Sequence, residues 1–110
     1  MAYDEKLAER VRSALSRRRG VTERKMFGGL SFMVNGHMCC GVVGDDLMVR
    51  VGPDRYDKAL ARKGVREMNF TGRPMKGMVF IDQSGYQRKS NLESWIDQGL
   101  KYARSLPPKG

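Results

Sequence analysis

Histidine, cysteine and tryptophan are scarce in this sequence: one, two and one among 110 residues. That scarcity removes most ways of building a catalytic or metal centre. A nitrogen and sulfur metal site needs three or four such side chains at set spacings, and His37, Cys39 and Cys40 do not follow a zinc pattern. Cys39 and Cys40 are neighbours, an arrangement that strains a mutual disulfide. With no other cysteine, an intrachain disulfide framework is ruled out, as suits a reducing compartment. No hydrophobic run reaches the ~20 residues of a membrane-spanning helix. Met1-Ala2-Tyr3-Asp4 leads straight into a charged helical pattern rather than a signal-peptide core. The expectation is a cytoplasmic chain without a membrane partner.

What is abundant is positive charge. The formal net charge is +9, unevenly spread: residues 1–26 carry +4, 27–54 carry −2 and 55–77 carry +5. A basic surface attracts nucleic acid, anionic lipid or acidic protein without specificity. The length fits one domain, here 1–110, and 40% hydrophobic with 30% charged residues is a globular rather than a disordered mixture.

From Asp4 the sequence reads as an amphipathic helix, with Tyr3, Leu7, Val11 and Leu15 recurring every four residues. Gly20 is its expected stop, which makes Arg17-Arg18-Arg19 a cationic last turn. Glu23 to Phe27 is a candidate strand ending at Gly28-Gly29. Leu30-Ser31-Phe32-Met33-Val34 alternates as a strand should, and Asn35-Gly36 is a strong hairpin signal, since both turn positions want positive φ. His37 to Val43 returns, with Met38, Cys40 and Val42 expected on one face, and Leu47 to Val51 gives a fourth strand. Gly52-Pro53-Asp54 opens a short helix to about Arg62 with Tyr56, Ala59 and Leu60 as its apolar stripe. Val65 to Phe70 is ambiguous, with Met68 and Phe70 alternating as an edge strand would, Gly77 to Ile81 reads as a fifth or sixth strand, and 83–89 reads as a polar loop. Ser90-Asn91-Leu92-Glu93 has the form of a capping box, opening a helix with the stripe Leu92, Trp95, Ile96, Leu100 and Ala103. Grouped strands flanked by helices indicate an α+β fold: an antiparallel meander of about four strands plus one or two more, packed with N-terminal, middle and C-terminal helices.

The search for chemistry returns little. Gly28-Gly29 lacks the length and the following helix of a phosphate-cradling loop, so it reads as a bend joining two strands. His37 and Cys39, two apart on a strand, could in principle form a nucleophile pair, but no orienting carboxylate stands near them in the pattern. A Cys/His enzyme is the remote alternative; neither catalytic nor metal residues are expected, nor a cofactor. Met33, Met48 and Val43 lie opposite the main apolar alternation, a face to be covered by a helix or by a second copy in a homodimer. For contact with nucleic acid or a partner the candidates are Arg17, Arg18, Arg19, Arg24, Lys25, Arg62, Lys63, Arg66, Arg73 and Lys76. They come without a recognition motif and without exposed aromatics interleaved among them.

Arg24-Lys25-Met26-Phe27-Gly28-Gly29, then Asn35-Gly36, then Asp46-Leu47-Met48-Val49-Arg50-Val51 together resemble the N-terminal domain of the TfoX/Sxy family. Phe70, Met78-Val79-Phe80 and the closing helix around Leu92 and Trp95 are similar in order and spacing, so that the resemblance runs over about residues 4 to 106. It implies an α+β regulatory domain rather than an enzyme. In the best-known members it implies a positive regulator of natural competence genes working with a cyclic-AMP receptor-type activator. Those members carry a second, C-terminal domain, whereas this sequence reads as the first domain standing alone. The expected function is therefore a small regulatory or interaction domain with a protein partner; the alternative is a basic nucleic-acid-binding protein.

Overall fold

The computed structural model describes residues 3–16, 18–26, 28–69 and 74–107, and of Met26, Met68, Asn69 and residues 74–76 the backbone alone. Helix α1 (Glu5–Leu15) starts where Asp4 accepts the backbone N–H groups of Lys6 and Leu7, at 2.9 and 3.4 Å, a cap worth about 1 kcal/mol. It ends at Leu15, well before Gly20. The Ser16 hydroxyl and N–H both donate to the Ser13 carbonyl, tightening the last turn and closing the helix early. Arg18 and Arg19 therefore lie beyond the helix and do not form its cationic last turn; Arg17 lies outside the described residues.

Six strands form one antiparallel sheet: β1 (Val21–Met26), β2 (Gly29–Val34), β3 (His37–Val43), β4 (Asp46–Arg50), β5 (Val65–Asn69) and β6 (Pro74–Ile81), in the order β1-β2-β3-β4-β6-β5. β1 begins two residues earlier than the sequence suggests, and the stretch from Val65, which the sequence left undecided, forms edge strand β5, with Phe70 outside the described residues. At the expected hairpin, Asn35 and Gly36 have φ of 54° and 83°, the pairing a tight primed turn requires. Gly28 and Gly29 are glycines for different reasons. Gly28 turns at φ +73° with open space around it, whereas a Cβ on Gly29 would lie 2.1 Å from the Val42 carbonyl oxygen. Phe27 lies outside the described residues.

The meander contains one irregularity that the alternation did not show. Phe32 pairs with Cys40 and Met33 with Met38, leaving Cys39 as an extra residue on β3. This β-bulge reverses the face of everything before it. Met38 joins Met33, Met48 and Met78 on one side of the sheet, not Cys40 and Val42 as the alternation predicts. Both cysteines turn into the other side, and both are completely buried.

The helices share that second side. A 3₁₀ turn (Pro53–Arg55) runs into α2 (Tyr56–Leu60), which packs on β5 and β6. The stretch read as a loop contains a short helix, α3 (Gln83–Tyr86), capped by the Asp82 carboxylate on the Ser84 N–H. Its Gly85 fits between Ile81 and the Lys63 carbonyl, where a Cβ would meet atoms at 2.5 and 2.7 Å. The long helix α4 (Lys89–Ser105) crosses β3, β4 and β2. It starts one residue before Ser90, with Arg88 at the cap position and no side chain capping it, so Ser90-Asn91-Leu92-Glu93 is helical sequence rather than a capping box.

One core cluster joins Leu7, Val11, Trp95, Ile96 and Leu100 to Phe32, Val42, Leu47, Val49 and Ile81. Each such apolar side chain is worth about 1.5–3 kcal/mol on burial. The opposite face holds the smaller methionine cluster, edged by Val43 and Phe80. No helix residue belongs to it, yet Met33 is 8% and Met48 0% exposed within the single chain. Those two methionines are covered without a second copy.

Two substitutions separate the two glycine roles. Gly28→Val forces a β-branched residue to positive φ and should cost about 1–2 kcal/mol. Gly29→Val drives a side chain into the β3 backbone and should cost about 3 kcal/mol or more. Thermal and denaturant unfolding measure both; unchanged stability in the pair would remove the joint from the account.

Candidate interaction surface

The cationic residues singled out in the sequence are divided by the fold among separate places. Arg24 and Lys25 sit on edge strand β1, opposite Ser31 and Leu30 respectively, so they point to opposite faces of the sheet. Arg66 sits on the other edge strand, β5, five strand spacings or roughly 24 Å away. Arg18 ion-pairs with Asp97 of α4 at 2.9 Å. Arg19 is exposed, and its carbonyl accepts from Arg104 at 3.4 Å. Lys63 is exposed just after α2. Arg73 lies outside the described residues, as does the side chain of Lys76.

Several of these cations already have anionic or aromatic partners. Arg66 grips the Asp46 carboxylate with two nitrogens, at 3.2 and 2.5 Å, and lies over the Phe80 ring at 5.1 Å. Arg12 bridges Glu9 and Glu23, meeting both oxygens of Glu23 at 2.8 Å. Its hydrogen bonds hold the Glu23 carboxyl below its usual range. Asp82 is likewise held low, chiefly by the Ser84 hydroxyl.

A different set of cations has no carboxylate within ion-pair distance among the described residues. Arg55 on the 3₁₀ turn, Lys58 on α2 and Arg62 two residues beyond the end of α2 face Gln98 and Lys101 on α4 across a groove. The groove runs through two connected hollows of about 350 and 160 Å³. Asp54 is the one acid on its walls. The Arg62 guanidinium lies 4.5 Å from the centre of the Trp95 ring, a cation–π contact. Trp95 is 1% exposed, and its indole N–H donates to the Gly85 carbonyl at 3.2 Å. Of these cations sequence reading singled out Arg62 alone. Arg55 and Lys58 belong to no run of charge, and Lys101 is distant in sequence.

A larger hollow, about 770 Å³, lies between α1 and α4. Glu9, Arg10, Lys89 and Glu93 line it with both signs of charge, so it favours neither a cationic nor an anionic ligand.

The cysteine–histidine pairing has no geometry behind it. The His37 ring meets the Pro107 carbonyl at 2.6 Å, while the Cys39 thiol is buried against the Ile96 carbonyl at 3.9 Å. Cys40 is pushed well up from a normal thiol pKa by its contact with the Cys39 thiol and by burial, which suppresses the thiolate a nucleophile requires. Among the described residues no group of three or more His, Cys, Asp or Glu side chains is placed to hold a metal ion. None of their helices is long and apolar enough to cross a membrane.

The fold defines a small α+β domain, one antiparallel sheet with its helices packed on one side. The chain belongs to the TfoX N-terminal domain family, whose model matches residues 13–103, in agreement with the resemblance carried by Met26-Phe27-Gly28-Gly29 and Asn35-Gly36. The family is one of non-enzymatic, competence-related regulatory domains. No curated protein and no solved structure matches the chain.

Two measurements follow from this chemistry. Both thiols should resist a thiol-reactive dye in the folded protein and react on unfolding; fast native labelling of Cys39 would contradict its burial. Glu23, with its folded pKa lowered, contributes stability that is complete above its ordinary value of about 4.3 and is lost as pH falls through the lowered one. Glu23→Gln should therefore lower the denaturation midpoint at neutral pH, by less than about 1 kcal/mol, with the difference vanishing towards acid. A difference that persists undiminished in acid would show that the ion pair is not its source.

Proposed function

We propose that the chain is a regulatory adaptor that acts by binding a protein partner in the cytoplasm, working as one domain over residues 1–110. The observation that carries this reading is the family match over residues 13–103, a family of regulatory domains. The separation of basic groups onto opposite sheet edges supports it. A duplex-binding protein gains affinity by neutralising many phosphates along one continuous track, and Arg24 and Arg66 do not share one. The second reading is direct nucleic-acid binding, and the observation favouring it is the net charge of +9. Under that reading the contacts would be drawn from Arg17, Arg18, Arg19, Arg24, Lys25, Arg62, Lys63, Arg66, Arg73 and Lys76.

Purification of the tagged full chain at native expression should recover a defined protein in stoichiometric amount, and its recovery should survive nuclease treatment. Titration with duplex DNA and with RNA over a range of salt concentrations should give weak binding that disappears near physiological ionic strength. Tight, salt-resistant DNA or RNA binding with no protein recovered would overturn the adaptor reading in favour of the second.

A further inference from the structure

We infer that the groove between α2 and α4 is the docking site for an acidic helical segment of a partner protein. The inference rests on the adaptor reading and adds to it the place and the chemistry of contact. Its first ground is charge. Arg55, Lys58, Arg62 and Lys101 face one another with Asp54 as the only acid on the walls. Elsewhere carboxylates are engaged: Glu9 and Glu23 with Arg12, Asp46 with Arg66, Asp97 with Arg18. Arg12, Arg18 and Arg66 are thereby paired, whereas Arg55, Lys58, Arg62 and Lys101 have no carboxylate within ion-pair distance among the described residues.

The second ground is spacing. Gln98, Lys101 and Ser105 stand at i, i+3 and i+7 on α4, and on the facing wall Arg55, Lys58 and Arg62 follow the same sequence interval from the 3₁₀ turn through α2 to the bend just after it. Carboxylates at i, i+3 or i+4, and i+7 of an α-helix span about 10 Å along its axis, the length of one such stripe. Arg and Lys supply charge-assisted hydrogen bonds to carboxylates, and Gln98 can pair with a polar flank. A single strand of nucleic acid fits less well, because stacking needs exposed aromatic faces. Here the indole of Trp95 is buried under Arg62. A duplex needs a longer run of cations than these four.

The test uses the full chain and an alanine-based helical peptide of about fifteen residues bearing Glu at i, i+3 and i+7. Its Gln counterpart and a DNA duplex serve as competitors. Binding is followed by peptide fluorescence anisotropy and by emission of Trp95, the only tryptophan. The Glu peptide should bind at low salt, shift the Trp95 emission and outcompete the Gln peptide. The triple variant Arg55→Gln/Lys58→Gln/Lys101→Gln leaves the Arg62–Trp95 contact in place and should weaken binding by about tenfold or more, from three partly screened ion pairs. Removing the same charge elsewhere, with Arg19→Gln/Arg24→Gln/Lys25→Gln, should change it less than about twofold. Equal losses in the two variants, absence of binding at low salt, or a duplex bound more tightly than the peptide through the same three residues would each overturn the assignment. Native capture of a partner that is undiminished by the groove variant would also overturn it, while leaving the adaptor reading standing.

Discussion

Cys39 is one residue more than β2 can pair with, and the architecture depends on how that surplus is absorbed. A regular strand would send Cys39 and Cys40 to opposite faces. The bulge sends both inward, and Cys39 enters where α4 packs against it through Gly99. A Cβ on Gly99 would lie 2.4 Å from the Cys39 carbonyl oxygen and 3.1 Å from its sulfur. Only glycine lets helix and strand approach that closely. The bulge and Gly99 therefore act as one device, setting the height at which α4 rides over β3 and β4. From that height follow the burial of Trp95, Ile96 and Leu100 and the position of the α4 wall that faces α2.

The same surplus residue divides the sheet into unlike faces. On the helical side, branched and aromatic side chains interlock around Trp95. On the other, the register change brings Met38 beside Met33, Met48 and Met78, where flexible thioethers fill a surface that no helix shapes. Gly41 belongs to this arrangement, since a Cβ there would meet the Met48 methyl at 2.6 Å. Ser31 sits in the neighbouring register position with its hydroxyl buried and without a partner among the described residues. Four of the eight methionines are thus accounted for by packing on this face.

The turns and strand alternation were legible in the sequence because they are local. Asn35-Gly36 fixes its own φ angles, and Leu30, Phe32 and Val34 mark the buried face within one strand. What could not be read depends on contacts between distant segments. The bulge at Cys39 is decided by pairing with β2 and by α4. The early end of α1 turns on a serine hydroxyl competing for one carbonyl. The short α3 is held by Asp82 and by the fit of Gly85 against Lys63. For the interaction surface, charge runs were a poor guide. Arg24 and Lys25 are adjacent in sequence but on opposite faces, and Arg66 is spent on Asp46. Arg55, Lys58 and Lys101 converge only because α2 and α4 lie side by side.

The groove is also stiff, for reasons that lie in the core. Trp95 lies buried in the core with its ring against Arg62, while its N–H is fixed on the Gly85 carbonyl. Gly85 is itself wedged against Ile81 and the backbone of Lys63, which follows directly on Arg62. At the other end, the ring of Tyr102 fills the place where Gly52 would carry a Cβ, at 2.5 Å. Both walls are thus tied to the sheet through side chains already buried for folding. A guanidinium resting on an indole has its plane largely set before any carboxylate arrives, so less side-chain freedom remains to be lost on binding. That ring contact distinguishes Arg62, itself exposed, from Arg24 and Lys25 of β1, which carry the same charge but must be ordered by whatever binds them.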